Sequence, residues 1–313
     1  MKRLTAICLS IALTAGCATI SLPPYVGQGP HPQIERGRRC LPIDILGNML
    51  ALPSKLILWD WKFANHYISP ETEEVLVGYL SARDLPAFKD ARFQLNEYRP
   101  LNDLSRLIKN RYAAWPYRLL LGLPMTLIME VLLPGRVFPW GDYYNPLTNT
   151  VHLYSDHPAV ALHETGHVYD FSTRKYKGTY SLLRIIPFVD LYQEYKATHY
   201  ALEYLKETRD RKRELDAYKI LYPAYGTYVG HYLIFPLNYI PIIIGHIWGR
   251  GKAHDEAVKY RKQEEENARK QPAKEHTPPT LPVSGSTGVP AVQPEPSSAP
   301  ATEPAPEEPA VVR

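Results

Sequence analysis

Residues 157–171 read HPAVALHETGHVYDF, and the whole chain can be organised outward from them. His163 and His167 stand four apart. On a helix that spacing puts both imidazoles on one face, with Glu164 one step round. Ser155, Asp156 and His157 offer capping groups just ahead, and Pro158 suits a first helical position. Before them, residues 150–154 (TVHLY) have strand character. Asn145-Pro146 and Thr148-Asn149 mark a turn between two Tyr- and Thr-rich runs. The local order is therefore hairpin, then helix. A hairpin edge beside such a helix could accept an extended peptide as one more strand.

Helical signals dominate the rest. Ser69-Pro70 followed by Glu71, Glu73 and Glu74 marks a helix start, because acidic side chains favour the positive end of the helix dipole. Leu101, Leu104, Leu107 and Ile108 form a helical stripe. Residues 189–220 run without Gly or Pro and predict one long helix, and 254–269 predict a polar, exposed one. The expected class is α+β, mainly helical, with a small hairpin or sheet beside the 157–171 helix and a second helix after it. Three segments are strongly apolar: 41–59, 112–133 and 220–249. The last is long enough to span a bilayer, but Pro223, Pro236, Pro241, His231 and His246 interrupt it, which favours a core or membrane-facing hairpin. Clustered on one face, the three would form a membrane-docking surface.

His-Glu-x-x-His on a helix has a specific chemical content. Two histidines can bind one ion, and the glutamate is placed to reach a water on it and take its proton. Strand, His-Glu-x-x-His helix and second helix together resemble the zincin metallopeptidases. The third ligand separates the branches of that group. The metzincin histidine position holds Thr173, and the aspzincin aspartate position after Gly178-Thr179 holds Leu182. The gluzincin pattern, a glutamate on a following helix with small or aromatic residues after it, is similar to residues 193–204, QEYKATHYALEY, with Glu194 lying 27 residues after His167. The resemblance implies one zinc ion held by His163, His167 and Glu194, with Glu164 as general base and proton shuttle. Glu203 is the rival third ligand. Asp170 and Asp190 are candidate outer acceptors, and Thr198 stands where many gluzincins carry Asp. His199, Tyr200 and His231 are candidate oxyanion stabilisers. Small Ala197 and Ala201, on the Glu194 face, would allow the two helices to approach closely.

The chain starts MKRLTAICLSIALTAGCATI, a basic start, a short apolar run and small residues before Cys17. This resembles a lipoprotein signal, which implies removal of residues 1–16, lipidation of Cys17 and an outer-membrane, periplasm-facing anchor. With 3 Cys in the chain, Cys8 removed and Cys17 lipidated, Cys40 is expected to be buried and without an internal partner. Removing Lys2 and Arg3 changes the balance of 36 basic and 32 acidic residues to 34 and 32, a net +2, which is no nucleic-acid signature. From Gln263 the sequence is rich in Pro, Ala and Glu and lacks aromatic residues, so 263–313 is expected to stay disordered. The expected organisation is 1–16 signal, 17–135 helical apolar region, 136–262 zinc domain and 263–313 tail. The expected function is membrane-anchored zinc metallopeptidase acting on cell-envelope proteins or peptides. The alternative is a zinc-stabilised scaffold or chaperone-like binder. Partners are the substrate and the membrane, reached through Cys17 and the apolar segments; no nucleic acid is implied.

Overall fold

Strand pairing joins parts of the sequence that lie far apart. The structure is a computed structural model that describes residues 20–21, 31–83 and 88–270. Strands β1 (Ile20–Ser21) and β3 (Arg38–Arg39) form a short antiparallel pair. The main sheet has the order β2 (Ile34–Arg36), β4 (Arg92–Leu95), β6 (Thr150–Leu153), β5 (Tyr143–Asn145). Its first three strands are parallel, and β5 closes one edge antiparallel to β6. Parallel neighbours need long crossovers. Helices α1 (Leu41–Leu50), α2 (Leu52–Leu58) and α3 (Pro70–Ala82) fill the first. Helix α4 (Pro100–Lys109) and α5, a run over 115–132 with two π-type stretches, fill the second. After β6 come α6 (Pro158–Ser172), α7 (Lys177–Leu183), α8 (Val189–Glu207), α9 (Arg211–Gly230) and α10 (Ile240–Lys270). This is the α+β, mainly helical class expected from the sequence.

Side chains alternate across a strand, so the sheet has two different faces. Phe93, Leu95, Val151 and Leu153 enter the main core with Leu76 and Tyr79 of α3 and Leu162 and Val168 of α6. On the other face Arg92 pairs with Asp103 of α4, and His152 faces Glu130 of α5. The start of α3 is pinned to the start of α6. The Ser69 hydroxyl accepts from the Thr72 amide and donates to Asp156, which also accepts from the Thr72 hydroxyl at 2.7 Å. Asp156 thus serves α3 rather than α6. His157 caps α6, its Nδ1 accepting from the Ala159 amide at 3.1 Å.

Several expectations need correction. Strands β2 and β4 come from the region before residue 135 and pair into the same sheet as β5 and β6, so no domain boundary falls there. The single helix over 189–220 is two. Arg209 takes a left-handed conformation, φ 56°, and the Asp210 carboxylate accepts from the Arg213 amide to start a new helix. Residues 220–249, by contrast, form the helical hairpin that the prolines favoured and not a continuous span: α9 ends at Gly230, and α10 begins at Ile240 after a turn. The last helix runs to Lys270, so the tail boundary at 263 falls inside it; residues 271–313 lie outside the described residues. Cys40 is buried, as expected, but it is disulfide-bonded, with its partner outside the described residues.

Candidate metal centre

Helix α6 is buried on nearly every side, because it packs between α8, α9, α3 and the sheet. That environment fixes both histidines. Thr165 turns its hydroxyl back onto the Ala161 carbonyl at 2.6 Å, so its polar group is satisfied inside the helix. Gly166 has a different task. A Cβ there would meet the Ala197 carbonyl oxygen at 2.5 Å. The absent side chain, with fully buried Ala197 and Ala201 opposite, lets α8 lie directly against α6. Of the two unspecified positions inside His-Glu-x-x-His, Thr165 is satisfied within the helix and Gly166 is set by packing.

This close approach delivers Glu194. Its Oε2 lies 3.0 Å from His163 Nε2 and 3.3 Å from His167 Nε2. The two rings are nearly perpendicular, at 85°, with centroids 4.8 Å apart. One ligand atom from each of the three residues lies within 4.8 Å of the others, and all three residues are buried. Two imidazole nitrogens and a carboxylate oxygen are a donor set suited to zinc with one position left open.

The residues behind the ligands orient them. Thr198 Oγ1 lies 3.2 Å from His163 Nδ1, so the residue standing in place of the expected aspartate does reach the imidazole. Arg184 donates to Glu194 Oε1, leaving Oε2 to the histidines, and donates to the Gln193 side chain at 3.1 Å. Burial alone would raise the Glu194 pKa, but the His167 charge, the histidine hydrogen bonds and Arg184 hold it well below the usual carboxylate range. Burial also lowers His163, yet hydrogen bonding and charge from Glu194 leave it raised; His167 stays lowered by burial.

Glu164 belongs to a cleft rather than to the ligand cluster. It lines two adjoining cavities, of ≈ 350 and ≈ 530 Å³, which share Met129, Asp142, Tyr143, Glu194 and Tyr228. Burial, reinforced by the Glu194 and Asp142 charges and opposed by His163, pushes its pKa up to about 8. A carboxyl that exchanges a proton near neutrality can serve as acid and base in turn. Edge strand β5 supplies Tyr143 and Tyr144 to the cavity wall. The Asp142 carboxylate accepts from the Tyr154 and Ser155 amides at 2.7 and 2.9 Å, which ties that edge to the strand entering α6.

The other candidates are placed elsewhere. Glu203 faces Arg83 at 4.0 Å, away from the histidines. Asp170 is buried against Arg174 and the Tyr180 hydroxyl, and Asp190 accepts from the Tyr232 hydroxyl at 2.6 Å. His199 stacks on Tyr195, and Tyr200 packs edge-on against Tyr169. His231 does line the larger cavity. Tyr228, from α9, was missed by sequence reasoning. It lines both cavities, and burial with the Glu194 and Glu164 charges keeps its hydroxyl protonated. Its signal was weak because it is one of 23 tyrosines in the chain. No family model, no curated protein and no solved structure matches this chain.

Proposed function

We propose that this protein is a membrane-anchored zinc metallopeptidase, similar to gluzincins, that hydrolyses peptide bonds of cell-envelope proteins. The observation that carries the reading is the meeting of His163, His167 and Glu194 within 4.8 Å, beside a cleft that also holds Glu164. His163, His167 and Glu194 would hold one zinc ion. When bound, zinc supplies Lewis acidity, polarising a carbonyl and making water a better nucleophile. The chain's own residues do the rest. The open edge of β5 can hold an extended peptide by main-chain hydrogen bonds, which positions without demanding one sequence. Glu164 takes a proton on its carboxylate as the carbonyl is attacked and returns it to the departing amine. The Tyr228 hydroxyl donates to the oxygen on which negative charge develops. Thr198 and Arg184 act through the ligands, fixing the His163 ring and the Glu194 carboxylate.

The cell-envelope location rests on Cys17 and on residues 1–16, which lie outside the described residues. Intact mass of the membrane-extracted protein tests the anchor directly: a chain that begins at Cys17 and carries acyl groups is the expected species. The catalytic reading is tested with Glu164→Gln. The variant is expected to retain zinc and lose peptide hydrolysis by about 10³-fold. Retained zinc with undiminished cellular function would favour the zinc-stabilised scaffold instead.

A further inference from the structure

Three segments of this protein turn large apolar side chains outward. In the 41–58 segment the only charged residues are Asp44 and Lys55, and both are buried. Asp44 pairs with Arg136 at 2.8 Å, and Lys55 donates to Asn48 and the Trp61 carbonyl. Outward instead go Leu41, Ile45, Leu46, Met49 and Leu56, each 48–68% exposed. In α5 the buried residues are Gly122, Thr126 and Glu130, four apart on one face. Leu120, Ile128, Val131 and Leu132 face out. At the start of α10, Ile242, Gly245, His246 and Gly249 turn inward, while Ile243, Ile247 and Trp248 are exposed. A helix in water buries its apolar stripe and exposes charge; the first two segments do the reverse, and the third turns most of its large apolar side chains outward.

The segments are also neighbours. The His246 ring stacks on Trp59 at 4.2 Å and bonds the Ile57 carbonyl at 2.7 Å. Ile57, Met129, Trp140, Tyr239 and Ile242 together rim the larger cavity beside Glu164. Tryptophan is highly buried on average in folded proteins, yet all 5 here are between 42 and 67% exposed. Apolar side chains fringed by Trp and Tyr match the layering of a bilayer surface. Charge fits as well: within 41–59, 119–133 and 240–249 the ionisable Asp44, Lys55 and Glu130 are buried and no exposed position holds Asp, Glu, Lys or Arg, while Arg250, stacked over Trp59, stands at the edge. No single described helix is long and apolar enough to cross a membrane, but α1 and α2 together, bent by 50°, have the length and composition of a broken span or a re-entrant loop. Pairing of Ile20 with Arg39 holds the N-terminal strand two residues before α1. Cys17, the proposed lipidation site, stands three residues before Ile20 in the sequence.

We propose that this face lies in one leaflet of a phospholipid bilayer, with the mouth of the cleft at the membrane surface. The docking does not require the anchor or the metal, so its test can fail separately from the peptidase reading. Full-length Cys17→Ser protein is floated with vesicles of phosphatidylethanolamine and phosphatidylglycerol. It is expected to float with them, its tryptophan fluorescence quenched by brominated lipid, and to do so equally with His163→Ala added. Leu46→Glu, Ile128→Glu and Ile243→Glu, each at an exposed position, are expected to weaken vesicle binding about tenfold apiece with unchanged circular dichroism. A folded Cys17→Ser protein that stays in solution overturns the proposal. So does a stable dimer in sedimentation whose tryptophans are shielded without lipid, which would give the face to a second copy.

Discussion

Among the described residues, two buried clusters share one chemical type and differ in how they are assembled. His163, His167 and Glu194 form one; Asp103, Glu130 and His152 form the other, and each brings its ligand atoms within 4.8 Å. Each has an arginine on a carboxylate, Arg184 on Glu194 and Arg92 on Asp103. The first comes from two helices locked together through Gly166, and it opens on a cleft containing Glu164 and Tyr228. The second comes from three separate elements, α4, α5 and β6. Its Glu130 already accepts from the Tyr143 hydroxyl, and its His152 lies under the Tyr143 ring, stacked at 4.6 Å. Ligand residues alone do not make a metal centre. Close helix packing and access to a cleft distinguish the first cluster, while the second lies between the sheet and its covering helices, with both His152 ring nitrogens buried and without a hydrogen-bond partner.

The largest expected effect separates the clusters by metal content. The parent is expected to hold about one zinc per chain, His163→Ala none, and His152→Ala the same as the parent, by elemental mass spectrometry. Two metals per chain, one of them lost in His152→Ala, would erase the distinction. Next comes Tyr228→Phe, expected to lower kcat about 10²-fold at unchanged zinc content, since it removes one donor to the developing oxyanion. A smaller effect is expected of Thr198→Val, a zinc affinity about tenfold weaker by competition with a chelator.

The smallest effect probes the second cluster through pH. Burial, with the Asp103 charge, pushes Glu130 up to about 8, against Tyr143 and Arg92. The folded state then keeps a proton that the unfolded state has lost above its ordinary value of 4.5. Stability contributed by this group is present below that value and declines as pH rises towards 8. Glu130→Gln cannot ionise, so its urea midpoint is expected to gain on the parent between pH 5 and pH 8. A cation held by Glu130 would reverse the sign, because the ionised form would then be the one stabilised by folding.

Legibility in the sequence followed the range of the interactions. Strand, turn and α6 were readable because Asn145-Pro146, Pro158 and the four-residue histidine spacing act locally. The break in the 189–220 helix was also local, in Asp210, but the lack of Gly and Pro concealed it. Glu194 could be named only through a resemblance, since nothing within 27 residues of chain requires it to return to His167. Arg184 and the sheet shared across residue 135 gave no local signal at all, and Tyr228 was one tyrosine among 23.

The sequence by itself determined the helix that carries His163, Glu164 and His167, the apolar character of the three segments and the mainly helical class. Backbone propensity and side-chain periodicity act over a few residues, so one segment suffices to express them. Only the tertiary structure decided which carboxylate reaches the histidines, which tyrosine enters the cleft and which way the apolar segments turn. Those choices depend on partners distant in the chain: Ala197 for Gly166, Arg136 for Asp44, and Ile57 for His246. A segment's composition states what it can bury, but the direction it faces is set by what packs against it.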